Sequence, residues 1–135
     1  MKSSGFSLVE LLVVLALASV LIALVGPLGF QSVERVKTQS EVVAIQRWYD
    51  RLGHAAFIRG QSIAVKREGD SRLVAYLGPE PFSQRDVERL DLAGAPVIVF
   101  SSAGIPSRDQ ISFTSSAGRV FELPLMGALS VRSAY

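Results

Sequence analysis

From Leu11 to Phe30 the chain reads LLVVLALASVLIALVGPLGF, twenty residues without a charge. At about 1.5 Å per residue, a helix of that length spans roughly the 30 Å hydrocarbon core of a bilayer. Such a run reads as a transmembrane helix rather than a buried core helix. It also accounts for the composition, in which 49% of residues are hydrophobic and only 19% charged, where soluble domains carry about 25% charged. Past residue 30 the chain has 13 Lys and Arg against 11 Asp and Glu, the balance of a solvated domain. A formal charge of +2 over 135 residues gives nucleic-acid binding little support from charge alone, and the length is that of one domain. The absence of cysteine excludes disulfides, Cys-ligated zinc, iron–sulfur clusters and thiol nucleophiles. A single histidine, His54, excludes any site that needs two imidazoles.

Glu10 stands at the edge of the uncharged run. An ionisable residue costs roughly 2.5–3.5 kcal/mol at the centre of an inserted helix and less near its end. A plain single-pass anchor gives no reason for that cost, so a cationic partner has to be sought. Lys2 is one candidate, but it can snorkel to the interface, where it is needed for orientation. The other is an α-amino group created by cleavage after Gly5. It would belong to Phe6, four residues or about one helical turn from Glu10. A secretory signal peptide cut after Ala18 competes with this reading, since Ala16-Leu17-Ala18 has the small-x-small form. That cut would place Glu10 inside the apolar region and leave SVLIALVGPLGF as the start of a secreted chain.

Further along, Pro27 lacks an N–H and clashes with the carbonyl of Ala23, which predicts a helix kink costing about 3 kcal/mol. Beyond it, Val42, Ile45, Tyr49, Leu52 and Ala56 recur at gaps of three and four, with Glu41, Gln46, Arg47, Asp50 and Arg51 on the other faces. This is the apolar stripe of an amphipathic helix, interrupted by Gly53 and closed near Ile58 with Gly60 as its cap. The expected helix covers 6–58. Trp48 reads as packing and His54 as a structural or surface residue. From Ser62 the period is two. Residues 62–68 and 72–78 predict a hairpin around Gly69-Asp70-Ser71, and 96–100, 110–114, 119–123 and 128–132 predict further strands. Pro79, Pro81 and the charged stretch 84–89 read as a surface connection. The expected class is α+β. A long N-terminal helix, transmembrane in its first half and amphipathic in its second, packs on a small antiparallel β-sheet head. The roughly 75 residues after the helix are marginal for a core of their own, so the helix stripe should be essential to it.

The segment Gly5-Phe6-Ser7-Leu8-Val9-Glu10, followed by the uncharged run, resembles the class III signal of type IV pilins and type II secretion pseudopilins. That pattern has a short basic leader ending in Gly, an aromatic first mature residue, a Glu four residues later and a long apolar helix. Here the leader is Met1-Lys2-Ser3-Ser4-Gly5, and Pro27 falls where many pilins have a proline. The resemblance implies cleavage between Gly5 and Phe6 by a prepilin peptidase, which also N-methylates Phe6. It implies a map of leader 1–5, transmembrane and filament-core helix 6–30, amphipathic helix 31–60 and β-rich periplasmic head 61–135. The protein would be single-pass in the bacterial inner membrane, with its C-terminal domain in the periplasm. It would join other pilins or pseudopilins in a periplasmic filament, handled by an inner-membrane assembly platform and contacting membrane lipid. Glu10 would neutralise the Phe6 amine of a neighbouring subunit and so check register, and the segment at Pro27 would kink, or unwind as subunits pack.

More weakly, the pattern ISF…AGRVFELPLMGALSVR is similar to the minor pseudopilin H type. The acidic, Gly-rich calcium tail of major pseudopilins and the Cys pair of many major pilins are both missing. The expected function is a minor structural subunit of a type II secretion pseudopilus, serving its assembly and protein secretion. The alternative is a minor type IV pilin in pilus biogenesis or DNA uptake, with Arg108, Arg119 and Arg132 as the candidate nucleic-acid contacts. No catalytic, metal or cofactor site is expected. The paired carboxylates Glu80/Asp86 and Asp86/Glu88 come with no nucleophile, pocket or metal set, and no phosphate-cradling glycine motif is present.

Overall fold

The computed structural model describes residues 4–126, apart from the side chain of Leu28. The chain divides into two compact units, 1–37 and 38–135. Helix α1 (Leu8–Arg59) runs through the boundary between them. Seven strands follow: β1 (Ile63–Glu68), β2 (Arg72–Leu77), β3 (Glu80–Asp86), β4 (Leu90–Asp91), β5 (Ile98–Phe100), β6 (Gln110–Ser115) and β7 (Val120–Pro124).

In the first unit the apolar window of α1 is long enough to cross a bilayer, and none of it is buried by protein. Leu12, Val14, Leu17, Leu21 and Leu24 are all more than half exposed. Each would be worth roughly 1.5–3 kcal/mol if transferred out of water, so this surface requires lipid or another apolar helix. The α-helix continues through Pro27 without a break.

The second unit is built on the predicted stripe. Val42, Ile45, Tyr49, Leu52 and Ala56 are all buried, joined by Trp48, whose indole meets the Tyr49 ring edge-on at 5.3 Å. They pack into one cluster with Ile63, Val65, Leu73, Ala75, Ile98 and Phe100, and with Leu90, Ile111, Phe113 and Leu123. The first group of partners comes from a sheet of order β3-β2-β1-β5 and the second from a sheet of order β4-β6-β7, every pairing antiparallel. Two sheets thus share one helix as their common core surface.

Two glycines shape that helix. At Gly53 α1 packs tightly on β5: a Cβ there would meet Phe100 at 3.1 Å and the Gly104 carbonyl at 3.4 Å. The interruption of the stripe is therefore a packing requirement. Gly60, at φ 62°, ends the helix. Its N–H reaches the Phe57 carbonyl and that of Gln61 the Ala56 carbonyl, the paired bonds of a Schellman cap. Polar contacts tie α1 to the loops. The two carboxylate oxygens of Glu41 accept the backbone N–H groups of Glu88 and Arg89 at 2.7 and 2.9 Å, holding the passage from β3 to β4. Trp48 Nε1 donates to Ser83 Oγ at 2.9 Å.

One sequence expectation is corrected. Residues 80–86 form strand β3 instead of a surface connection, and residues 84–89 lie partly in it. Among the described residues β3 is an edge strand, the position at which a sheet tolerates a proline such as Pro81. A register shift at Ala75/Tyr76 absorbs the irregularity, and Arg72 pairs with Asp86 across the strands at 2.8 Å. With neither face strongly apolar, the strand shows no hydrophobic alternation to read. The predicted strand at 96–100 shortens to Ile98–Phe100, and the short β4 was not foreseen. The strand expected at 128–132 lies outside the described residues.

Two stability tests follow from this packing. Gly53→Val should destabilise the head by about 2 kcal/mol through overpacking against Phe100, measured by urea unfolding of the chain in detergent micelles. Burial pushes the Tyr49 phenol well above its ordinary value of 10.0. The unfolded chain therefore releases this proton first. The stability that Tyr49 contributes is complete below pH 10 and is lost progressively as the pH rises above it, by up to about 1.4 kcal/mol per pH unit. Tyr49→Phe should flatten that alkaline slope in urea melts taken at successive pH values.

Candidate assembly site

The segment Gly5 to Glu10 forms the start of α1. Gly5 and Phe6 precede the helix and are exposed, Phe6 by 86%. A Cβ on Gly5 would meet nothing within 4 Å. The peptide bond between them is therefore open on its Gly5 side. Ser7 is the helix N-cap. Its Oγ accepts the Glu10 N–H at 3.2 Å, while its own N–H donates to Glu10 Oε2 at 3.2 Å. The Leu11 N–H takes the Ser7 carbonyl as the first helical acceptor. This is the reciprocal Ser-x-x-Glu capping box, which satisfies two of the donors that a helix start leaves unpaired. It also sets the carboxylate at the positive end of the helix dipole.

The sequence reading singled out Gly5, Phe6 and Glu10 but passed over Ser7. The signal was present, since Ser7-Leu8-Val9-Glu10 before an apolar run is the capping-box pattern itself. Glu10 is thus already partnered within its own chain. Only Oε2 is used, and Oε1 takes no bond among the described residues.

Other candidates are placed apart. Pro27 lies well inside α1, seventeen positions beyond Glu10. Arg108 and Arg119 are exposed at opposite ends of β6, and Arg132 lies outside the described residues. Asp86 is engaged by Arg72, so neither carboxylate pair that includes it offers two unengaged acids. Among the described residues no three His, Cys, Asp or Glu side chains gather into a metal-sized group.

Residues 1–26 match the family described as the prokaryotic N-terminal methylation motif. The chain carries the signature of type IV pilins and pseudopilins. No curated protein and no solved structure matches it. The pilin signature marks a family of structural subunits, processed by a prepilin peptidase and assembled with other pilins into filaments. With the unburied apolar window of α1, it supports membrane anchoring of this chain.

The capping box makes a local prediction. Ser7→Ala removes the acceptor of the Glu10 N–H, a loss worth about 1 kcal/mol. Amide exchange at Glu10, followed by NMR in micelles, should accelerate about fivefold. An unchanged rate would show that the box does not hold the first turn.

Proposed function

We propose that this pilin-like chain is a minor structural subunit of a type II secretion pseudopilus, held in the inner membrane with its β-rich domain in the periplasm until assembly. The observation that carries the reading is the capped carboxylate of Glu10, one turn from the Gly5–Phe6 peptide bond and at the mouth of an unburied apolar helix. A prepilin peptidase hydrolyses that bond, releasing the leader and leaving an α-amino group on Phe6, which the same enzyme methylates. The preference for a secretion pseudopilus over a pilus rests on the likeness of the C-terminal segment to minor pseudopilin H and on the absence of cysteine.

The chemistry of assembly follows from the cap. While the subunit waits in the membrane, Ser7 gives the Glu10 carboxylate a donor, which lowers the cost of keeping a charge near lipid. In the filament, Oε1 receives the Phe6 ammonium of a neighbouring subunit. An unpaired buried ion costs several kcal/mol, so only the axial offset that brings the two together is stable. Pro27, with Gly26 and Gly29 beside it, provides a stretch of α1 that can bend or unwind as helices pack.

Glu10→Val should leave leader removal and membrane insertion intact yet lower incorporation into sheared filaments at least about tenfold, as expected for the loss of a desolvated pair. Incorporation at the wild-type level would remove the role given to Glu10. Deleting the chain from its host should block protein secretion and leave surface pili in place. The reverse phenotype would transfer it to a pilus.

A further inference from the structure

A trough in the second unit has no part in the assembly chemistry at Glu10. It lies between α1 and strand β3, lined by Trp48, Arg51, Leu52 and Ala55 from the helix and by Phe82 to Arg85 from the strand, with a volume of about 400 Å³. A second hollow, of about 470 Å³, adjoins it and is lined by Arg47, Asp50, Arg51 and Arg85. Arg51 and Arg85 border both.

Its chemistry is unusual for this evenly charged chain. Three arginines, Arg47, Arg51 and Arg85, line it, Arg51 Nε donating to the Arg47 carbonyl at 3.3 Å, and Arg59 stands over the Phe82 ring at 4.8 Å nearby. Among the described residues, Arg47, Arg51 and Arg85 have no carboxylate within ion-pair distance. Asp50, the one acid in the lining, pairs with none of them, and partial burial raises its pKa. Like charges lining one depression favour a negative ligand there. The apolar lining is supplied by Trp48, Leu52 and Phe82. One side of the trough is a sheet edge that is open among the described residues, where β3 pairs only with β2. Past Pro81, residues 82–86 all have a backbone N–H, and in an antiparallel ladder alternate ones face away from β2.

We propose that this trough binds an acidic, extended segment of a partner protein, which adds to the open edge of β3. In an added strand, side chains two apart lie on the same face at roughly 6.6–6.8 Å spacing. Acids at alternate positions would therefore all face the arginines, while main-chain bonds to β3 supply the remaining affinity. The binding is independent of filament formation and of Glu10.

Trp48 is the single tryptophan of the chain and lines the trough, so its emission reports on occupancy. The test uses the full chain in uncharged detergent micelles at low salt. The probe is a short fluorescein-labelled peptide alternating glutamate with valine, followed by anisotropy and, with an unlabelled copy, by Trp48 emission. Saturable binding with a change in Trp48 emission is expected. A glutamine-for-glutamate peptide and the R51E/R85E double variant should each weaken it roughly tenfold, and Arg108→Glu less than about twofold. Methylating the peptide's backbone nitrogens should also weaken binding to the unmodified chain, which keeps the test free of any folding defect in the variant. Three results would overturn the proposal: no saturable binding, equal binding of the N-methylated peptide, or an oligothymidylate that binds more tightly than the acidic peptide and displaces it.

Discussion

A carboxylate beside twenty uncharged residues needs donors wherever the helix is placed, in lipid or among other helices. In the single chain those donors are local. The Ser7 N–H holds one oxygen of Glu10, and the Glu10 N–H is held in return by the Ser7 hydroxyl. The arrangement settles where α1 begins and keeps Gly5 and Phe6 outside it. It also leaves Oε1 of the carboxylate without a bond among the described residues. The same box can therefore stabilise the isolated subunit and remain compatible with an ammonium arriving from a neighbour.

The second unit obeys a different constraint. Neither sheet is large enough to enclose a core, and both bury their apolar faces on the stripe from Val42 to Ala56. The stripe works because Gly53 lets Phe100 approach and because Glu41 holds the chain between the two sheets. Damage to that face of the helix would disturb both sheets at once. The uncharged run belongs to the first unit, and none of its residues is a member of the core cluster.

Where burial is one-sided and periodic, the sequence was legible. The spacing from Val42 to Ala56 marked the core face of α1, Gly60 marked its end, and the β1–β2 hairpin followed from alternation around Gly69. Strand β3 was hidden because a strand with two polar faces carries no alternation, and Pro79 and Pro81 imitate a loop. The Ser7–Glu10 box is legible in four residues as a capping pattern before an apolar run, although the cost of a charge at the membrane explains Glu10 without reference to Ser7. The Arg47–Arg51–Arg85 trough could not have been read in advance. Two of its arginines are one turn apart on α1, and the third joins them only through the packing of β3.

The claim on which this account turns is that the native chain starts at Phe6, since only then does Glu10 gain an ammonium to meet. Intact-mass and fragment-ion mass spectrometry of the protein taken from its own membrane reads this directly. The account predicts a chain five residues shorter than the 135 of the full sequence, beginning at N-methylated Phe6. A chain that retains Met1, or one that begins at Ser19, would contradict it.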